Sequence, residues 1–111
     1  MENIGIYMIK SKVNPELFYI GSTQNIKARW DTHLWLLRNN KHHKRIQNHY
    51  NKYGESDLIF SVILYCKTNE LIKNERIFIN KYKPYFNVCH YKGYRVIKNR
   101  FGSLYSSKQN K

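Results

Sequence analysis

The stretch FYIGSTQNIKARWDTHLWLL, residues 18 to 37, decides how the rest of the chain is read. Phe18, Tyr19 and Ile20 predict a short strand stopped at Gly21, followed by a polar turn and then a helix. Ser22, Thr23 and Asn25 are each competent to cap that helix, because a side-chain oxygen can accept an N–H of the first turn. Ile26, Trp30, Leu34 and Leu37 then recur at the helical spacing of a face turned to a core. Arg29 and His33 lie four apart along the edge of that stripe. Two charged neighbours so placed cost an isolated helix roughly 0.2–0.5 kcal/mol, which an anion between them would offset. A solvated basic edge accounts for them as well. Tyr19 carries the same two alternatives, an ordinary strand tyrosine or a site residue held beside a glycine that leaves room for close approach.

Working outward, residues 3–10 (NIGIYMIK) predict a first strand, with Gly5 marking close backbone approach. Asn14-Pro15 signals a turn, so the strand at residues 18–20 returns beside the first. Tyr7 and Tyr19 can then project into one site. Past the helix, Arg38 to Arg45 is a basic connection. A short helix follows from Ile46 to Lys52, with Gly54 as a C-cap of the usual kind. Residues 58–65 (LIFSVILY) are almost all apolar and predict a central strand covered on both faces. Residues 69–82 predict the last helix, with Asn69 as its cap, Glu70 in the first turn and Pro84 beyond its end. The expected order is β-β-α-α-β-α: an α+β (mixed α/β) domain with a small three-stranded, mostly antiparallel sheet flanked by helices. Residues 1–89 form the expected domain, and 90–111 a basic, polar tail.

Composition narrows the partner. A chain of 111 residues is one domain, and its 41% hydrophobic content sustains a core without staples. Twenty Lys and Arg against seven Asp and Glu leave a net charge of +13, far more than solubility needs, and so point to a polyanion. A membrane surface is the rival anion. No long apolar stretch, signal peptide or uniformly basic amphipathic helix supports it, so an intracellular, non-secreted nucleic-acid partner is expected. Cys66 and Cys89 form no metal motif and are expected as reduced intracellular thiols.

One carboxylate is out of place. In the third helix Leu71, Ile72, Phe78, Ile79 and Tyr82 make the apolar stripe, and Glu75 falls inside it. A lone carboxylate facing a core costs several kcal/mol unless it is paired or binds a metal. An ion pair with Arg29, a place at the stripe's edge, and a ligand role toward Mg²⁺ remain the alternatives. Glu2, Glu16, Asp31, Glu55, Asp57 and Glu70 fit turns, caps or exposed faces.

Together these residues resemble the GIY-YIG nuclease family. Gly5-Ile6-Tyr7 and Tyr19-Ile20-Gly21 are its two defining tripeptides; Arg29, His33, Glu75 and Asn87 follow in the family's order. Asn51-Lys52-Tyr53-Gly54 looks like its turn before the third strand, and the resemblance spans about residues 3 to 89. Its nearest counterparts are the nuclease domains of phage and mobile-intron homing endonucleases. The resemblance implies a DNA endonuclease using one Mg²⁺ (or Mn²⁺), with catalytic residues Tyr7, Tyr19, Arg29, His33, Glu75 and Asn87. Tyr7 would be the general base on water, helped by a His33 of ordinary pKa, and Arg29 would clamp the phosphate. Glu75 would hold the metal, Tyr19 would bond phosphate or water, and Asn87 would support Glu75 or the helix. A histidine of the connection also belongs near the site, His42 before His43. Lys27, Lys41, His42, Lys44 and Arg45 are the expected DNA contacts. A binding module that no longer cuts, or a structure-specific repair or junction nuclease acting with a partner, are the alternatives. No separate DNA-reading motif is legible beyond the basic tail from Lys92 to Lys111, so weak sequence preference or targeting by a partner is expected.

Overall fold

In the computed structural model, which describes residues 3–87, everything hangs on β1 (Gly5–Ser11). It pairs antiparallel with β2 (Phe18–Thr23) on one side and with β3 (Leu58–Tyr65) on the other, giving the order β2-β1-β3. The expected class, order and antiparallel sheet are therefore present. The centre of the sheet is not where it was expected. β1 is central and buried or half-buried throughout, whereas β3 is an edge strand with Ile59, Leu64 and Tyr65 exposed. An apolar run reports β-propensity and packing on its faces; it does not report how many neighbouring strands it has.

Strand alternation sends β1 side chains to two cores. Tyr7 and Ile9 join Leu37, Ile46, Leu58 and Phe86 on the face covered by α1 (Ile26–Arg38) and α2 (Lys44–Tyr53). Ile6 joins Ile20 and Leu71 on the opposite face, under α3 (Leu71–Tyr82). Each fully buried isoleucine contributes about 1.5–3 kcal/mol, so the two faces hold β1 from both sides. Asn14 and Leu17 close the hairpin turn through Leu17 N–H to the Asn14 carbonyl at 2.9 Å. Gly5 is required by close approach: a Cβ there would run into the Leu64 carbonyl oxygen of β3.

Several boundaries differ from expectation for identifiable reasons. β2 does not stop at Gly21 but continues to Thr23, because Gly21, Ser22 and Thr23 still pair with Tyr7, Ile6 and Gly5. Of the three candidate caps, Asn25 holds the helix, accepting the Ala28 N–H at 3.1 Å. Asn69 is not the cap of α3; a 3₁₀ turn over Thr68–Glu70 leads into Leu71. Gly54 closes α2 at φ +87°, ψ 171°, a mirror-extended conformation open to glycine and not the usual left-handed cap. In α3 the inward face is Leu71, Phe78 and Ile79, whereas Ile72 and Tyr82 are exposed.

Asp57, expected on a turn or exposed face, is a structural node. It accepts from Ser11 Oγ at 2.6 Å and from the Val13 N–H at 2.9 Å, and bonds His49 Nε2 at 2.6 Å. The hairpin turn, α2 and the start of β3 are thereby tied together. Cys66 is a free thiol; Cys89 and the basic tail lie outside the described residues.

Candidate active site

The two tyrosines meet because of the hairpin register. Tyr7 stands opposite Gly21, and Ile9 opposite Tyr19, so Tyr7 and Tyr19 share a face on a diagonal. Their ring centroids are 6.2 Å apart, and a Cβ on Gly21 would come within 2.5 Å of the Tyr7 hydroxyl. The glycine thus makes room for the reactive end of Tyr7. That is a steric requirement, not a conformational one.

α1 closes over this face. His33, expected at the edge of the helical stripe, is wholly buried, while Trp30 and Leu34 are only half-buried. The helix is rotated so that its imidazole, not its tryptophan, covers the tyrosines. His33 Nε2 lies 2.6 Å from the Tyr7 hydroxyl, and His33 Nδ1 lies 2.7 Å from His42 Nε2. Half-buried Arg29 reaches both phenols with its guanidinium. Burial opposes its charge, yet Tyr7 and Tyr19 outweigh that penalty and hold it protonated. Burial pushes the Tyr7 hydroxyl well above the usual phenol range and raises Tyr19 as well, with Arg29 acting the other way on each.

Burial also drives both histidines toward neutrality. His33 falls well below its ordinary value through burial, then Arg29, His42 and His43; His42 falls to about 3 through burial, His43 and Arg29. His33 therefore does not have the ordinary pKa expected of it. Depressed folded-state values mean that the unfolded chain binds these protons first, so stability falls as pH drops below about 6.5. Each imidazole adds up to about 1.4 kcal/mol per pH unit to that slope. Urea unfolding at pH 7.5, 6.0 and 5.0 should show the decline, with a shallower slope in His42→Gln. Equal stability at the three pH values would contradict neutral, buried imidazoles.

Glu75 comes to the site from α3, on the other side of the sheet. It is half-buried, accepts from Ser22 Oγ at 2.8 Å, and is close enough for its charge to oppose ionisation of both tyrosines. Among the described residues no three His, Cys, Asp or Glu side chains group as metal ligands. What the site offers a cation is hard oxygen, one carboxylate with a hydroxyl beside it. That suits Mg²⁺, an ion that keeps several waters and takes one or two carboxylates plus substrate phosphate.

The remaining expected residues are more dispersed. Asn87 brackets the Ile20 backbone with its amide, accepting N–H at 2.9 Å and donating to C=O at 2.8 Å. It extends the ladder at the outer side of β2. His42 is half-buried in the histidine chain, whereas His43 is exposed at the start of α2, which separates the two candidates. Lys27 is exposed and pairs with Asp31 at 3.8 Å. Lys41 lies over the exposed Trp35 ring, Arg45 over Tyr85, and Lys44 opens α2 at the surface.

The sequence pattern of the GIY-YIG catalytic domain matches residues 3–92. The chain belongs to that family. Two solved structures are similar to it. A Glu→Ala mutant of the catalytic domain of intron endonuclease I-TevI is 26% identical, with a TM-score of 0.66 over 75% of this chain and 86% of that one. The catalytic domain of homing endonuclease I-TevI is 25% identical, with a TM-score of 0.65 over 77% of this chain and 94% of that one. This GIY-YIG domain is thus a nuclease domain in which both tripeptides have a geometric explanation. Two polar residues at its site escaped the sequence. Ser22 looked like a helix cap and instead bonds Glu75. Gln47 gave one faint signal, a polar side chain three residues before half-buried Tyr50 and next to buried Ile46, and it is itself buried.

Proposed function

We propose that this GIY-YIG domain is a DNA endonuclease of the homing or mobile-element type that hydrolyses phosphodiester bonds with Mg²⁺ or Mn²⁺. The observation that carries the proposal is a fully buried tyrosine hydroxyl joined to His33 at 2.6 Å and faced by Arg29. Packing alone would not place a phenol, an imidazole and a guanidinium together in a core. Hydrolysis needs an activated water and neutralised charge on the phosphoryl oxygens. In its deprotonated form, favoured by Arg29 and by a bond from His33, the Tyr7 oxygen takes a proton from water. The water oxygen then bonds to phosphorus as the phosphorus–oxygen bond to the leaving sugar breaks, and that sugar oxygen takes a proton from solvent.

Arg29 neutralises the phosphate through its planar fork of donors, and Tyr19 hydrogen-bonds the phosphate or the water. Glu75, oriented by Ser22, would hold the cation, which when bound supplies positive charge beside the scissile phosphate. Lys41, His42, Lys44 and Arg45 were the expected DNA contacts of the connection. We assign phosphate contact to Lys41, Lys44 and Arg45, and to Lys27 at the other end of α1, while His42 belongs to the tyrosine site. Phosphate contacts, including those of the basic tail, position DNA without specifying sequence, so binding should be salt-sensitive and an intracellular targeting partner would supply the address.

Supercoiled plasmid tests the proposal. Nicked circles should form with Mg²⁺ or Mn²⁺, stop on adding EDTA, and resume when excess cation is restored. Absence of cleavage on plasmid, flap and branched DNA in either cation, with DNA still bound, would overturn the enzyme assignment.

A further inference from the structure

The histidine chain has a direction, set by a backbone amide and held by a glutamine. A backbone N–H can only donate, so the His43 amide, 2.7 Å from His42 Nδ1, makes that nitrogen an acceptor. Neutral His42 then carries its hydrogen on Nε2 and donates it to His33 Nδ1 at 2.7 Å. Neutral His33 must in turn carry its hydrogen on Nε2 and donate to the Tyr7 oxygen at 2.6 Å. The chain therefore runs from the His43 amide toward Tyr7, which is its final acceptor. In that state His33 cannot take the tyrosine's proton. It holds a hydrogen against the oxygen and favours the phenolate.

What keeps His42 in place is Gln47, buried at 5% exposure on α2. Its Oε1 accepts the His42 N–H at 2.9 Å, and its Nε2 donates at 3.0 Å to both the Leu37 carbonyl and Asn51 Oδ1. The His42 N–H, which can only donate, and the Leu37 carbonyl, which can only accept, fix which way the amide faces. Leu37 lies in the last turn of α1 and Asn51 on α2, so the glutamine pins residues 39–43 between two helices. The ladder continues from Asn51 Nδ2 to Asn40 Oδ1 at 3.2 Å, on the same connection.

We propose that Gln47 is a positioning residue for water activation: it clamps the His42 backbone and so keeps the His42–His33–Tyr7 chain directed at the tyrosine oxygen. This rests on the nuclease proposal, but half of its test does not. Imidazole ¹⁵N signals of the unaltered protein should show both His33 and His42 as Nε2–H tautomers. Gln47→Met should lose the fixed His42 tautomer and lower kcat by about 10- to 100-fold, with KM and DNA affinity unchanged. Gln47→Glu keeps an acceptor for the His42 N–H, and should restore the tautomer and part of kcat. An Nδ1–H tautomer on His42 in the unaltered protein overturns the proposal whether or not the protein cuts DNA. So does a folded Gln47→Met with normal tautomers and kcat. If Gln47→Met fails to fold, Gln47→Glu decides: an unfixed His42 tautomer in that folded variant overturns the proposal. Failure to nick by the unaltered protein, with tautomers as stated, would count against the nuclease reading alone.

Discussion

Arg29→Ala is expected to lower single-turnover nicking by about 10³-fold or more while leaving the protein folded. The guanidinium sits against the buried Tyr7 phenol and the half-buried Tyr19 phenol and stays charged there despite its own partial burial. A cation held in so dry a place neutralises a phosphate far more effectively than one in water, and it is already oriented before the substrate arrives. Its loss also removes the charge that favours ionisation of Tyr7 and Tyr19. Arg29→Lys should recover only a small part of the rate, because an ammonium restores charge without the planar fork. The check is single-turnover cleavage with protein in excess over plasmid, beside circular dichroism and a gel shift. A folded Arg29→Ala that cuts within tenfold of the unaltered rate would remove the arginine from the mechanism.

Tyr7→Phe is the second large effect, expected at about 10²–10⁴-fold on the same rate. The substitution keeps the ring, which is 1% exposed and packs edge-on to Trp30 at 6.4 Å between centroids. Only the hydroxyl goes. His33 Nε2 is then left buried without its partner, at a cost of about 1–3 kcal/mol to stability. The variant should therefore melt earlier yet remain folded and bind DNA normally. Tyr19→Phe provides the contrast, since the His33 Nε2 bond ends on the Tyr7 hydroxyl. If Tyr19→Phe loses more rate than Tyr7→Phe, water activation belongs to Tyr19.

The order of elements, the hairpin and the roll of residues around the tyrosines were legible because each rests on local chemistry. Strand-forming runs, an asparagine cap and an Asn-Pro turn report themselves within a few residues. The place of β3 in the sheet is not legible, because an apolar run carries no signal of neighbours and its partner β1 lies far back in the chain, Ser11 pairing with Leu58. Spacing puts His33 at the edge of its stripe, but helix rotation depends on what the sheet presents, here a glycine gap and two rings. Glu75 stood out as an acid on an apolar stripe, but its Ser22 partner could not be seen from spacing alone. Gln47 is harder still: its three partners sit on a loop and two helices, and nothing in its neighbours announces them.

The order of elements also governs when the site can be assembled. β1 and β2 deliver both tyrosines within one hairpin, and α1 brings Arg29 and His33 soon after. Glu75 is joined to this half through Ser22, 53 residues earlier in the chain. Residue 87 then fastens the outer side of β2 from 67 residues away. During synthesis from the N-terminus, Tyr7, Tyr19, Arg29 and His33 thus all leave the ribosome well before the carboxylate. On the proposed mechanism, an unfinished polypeptide would hold the tyrosines without the acid, and the site would be whole only once the last helix has docked.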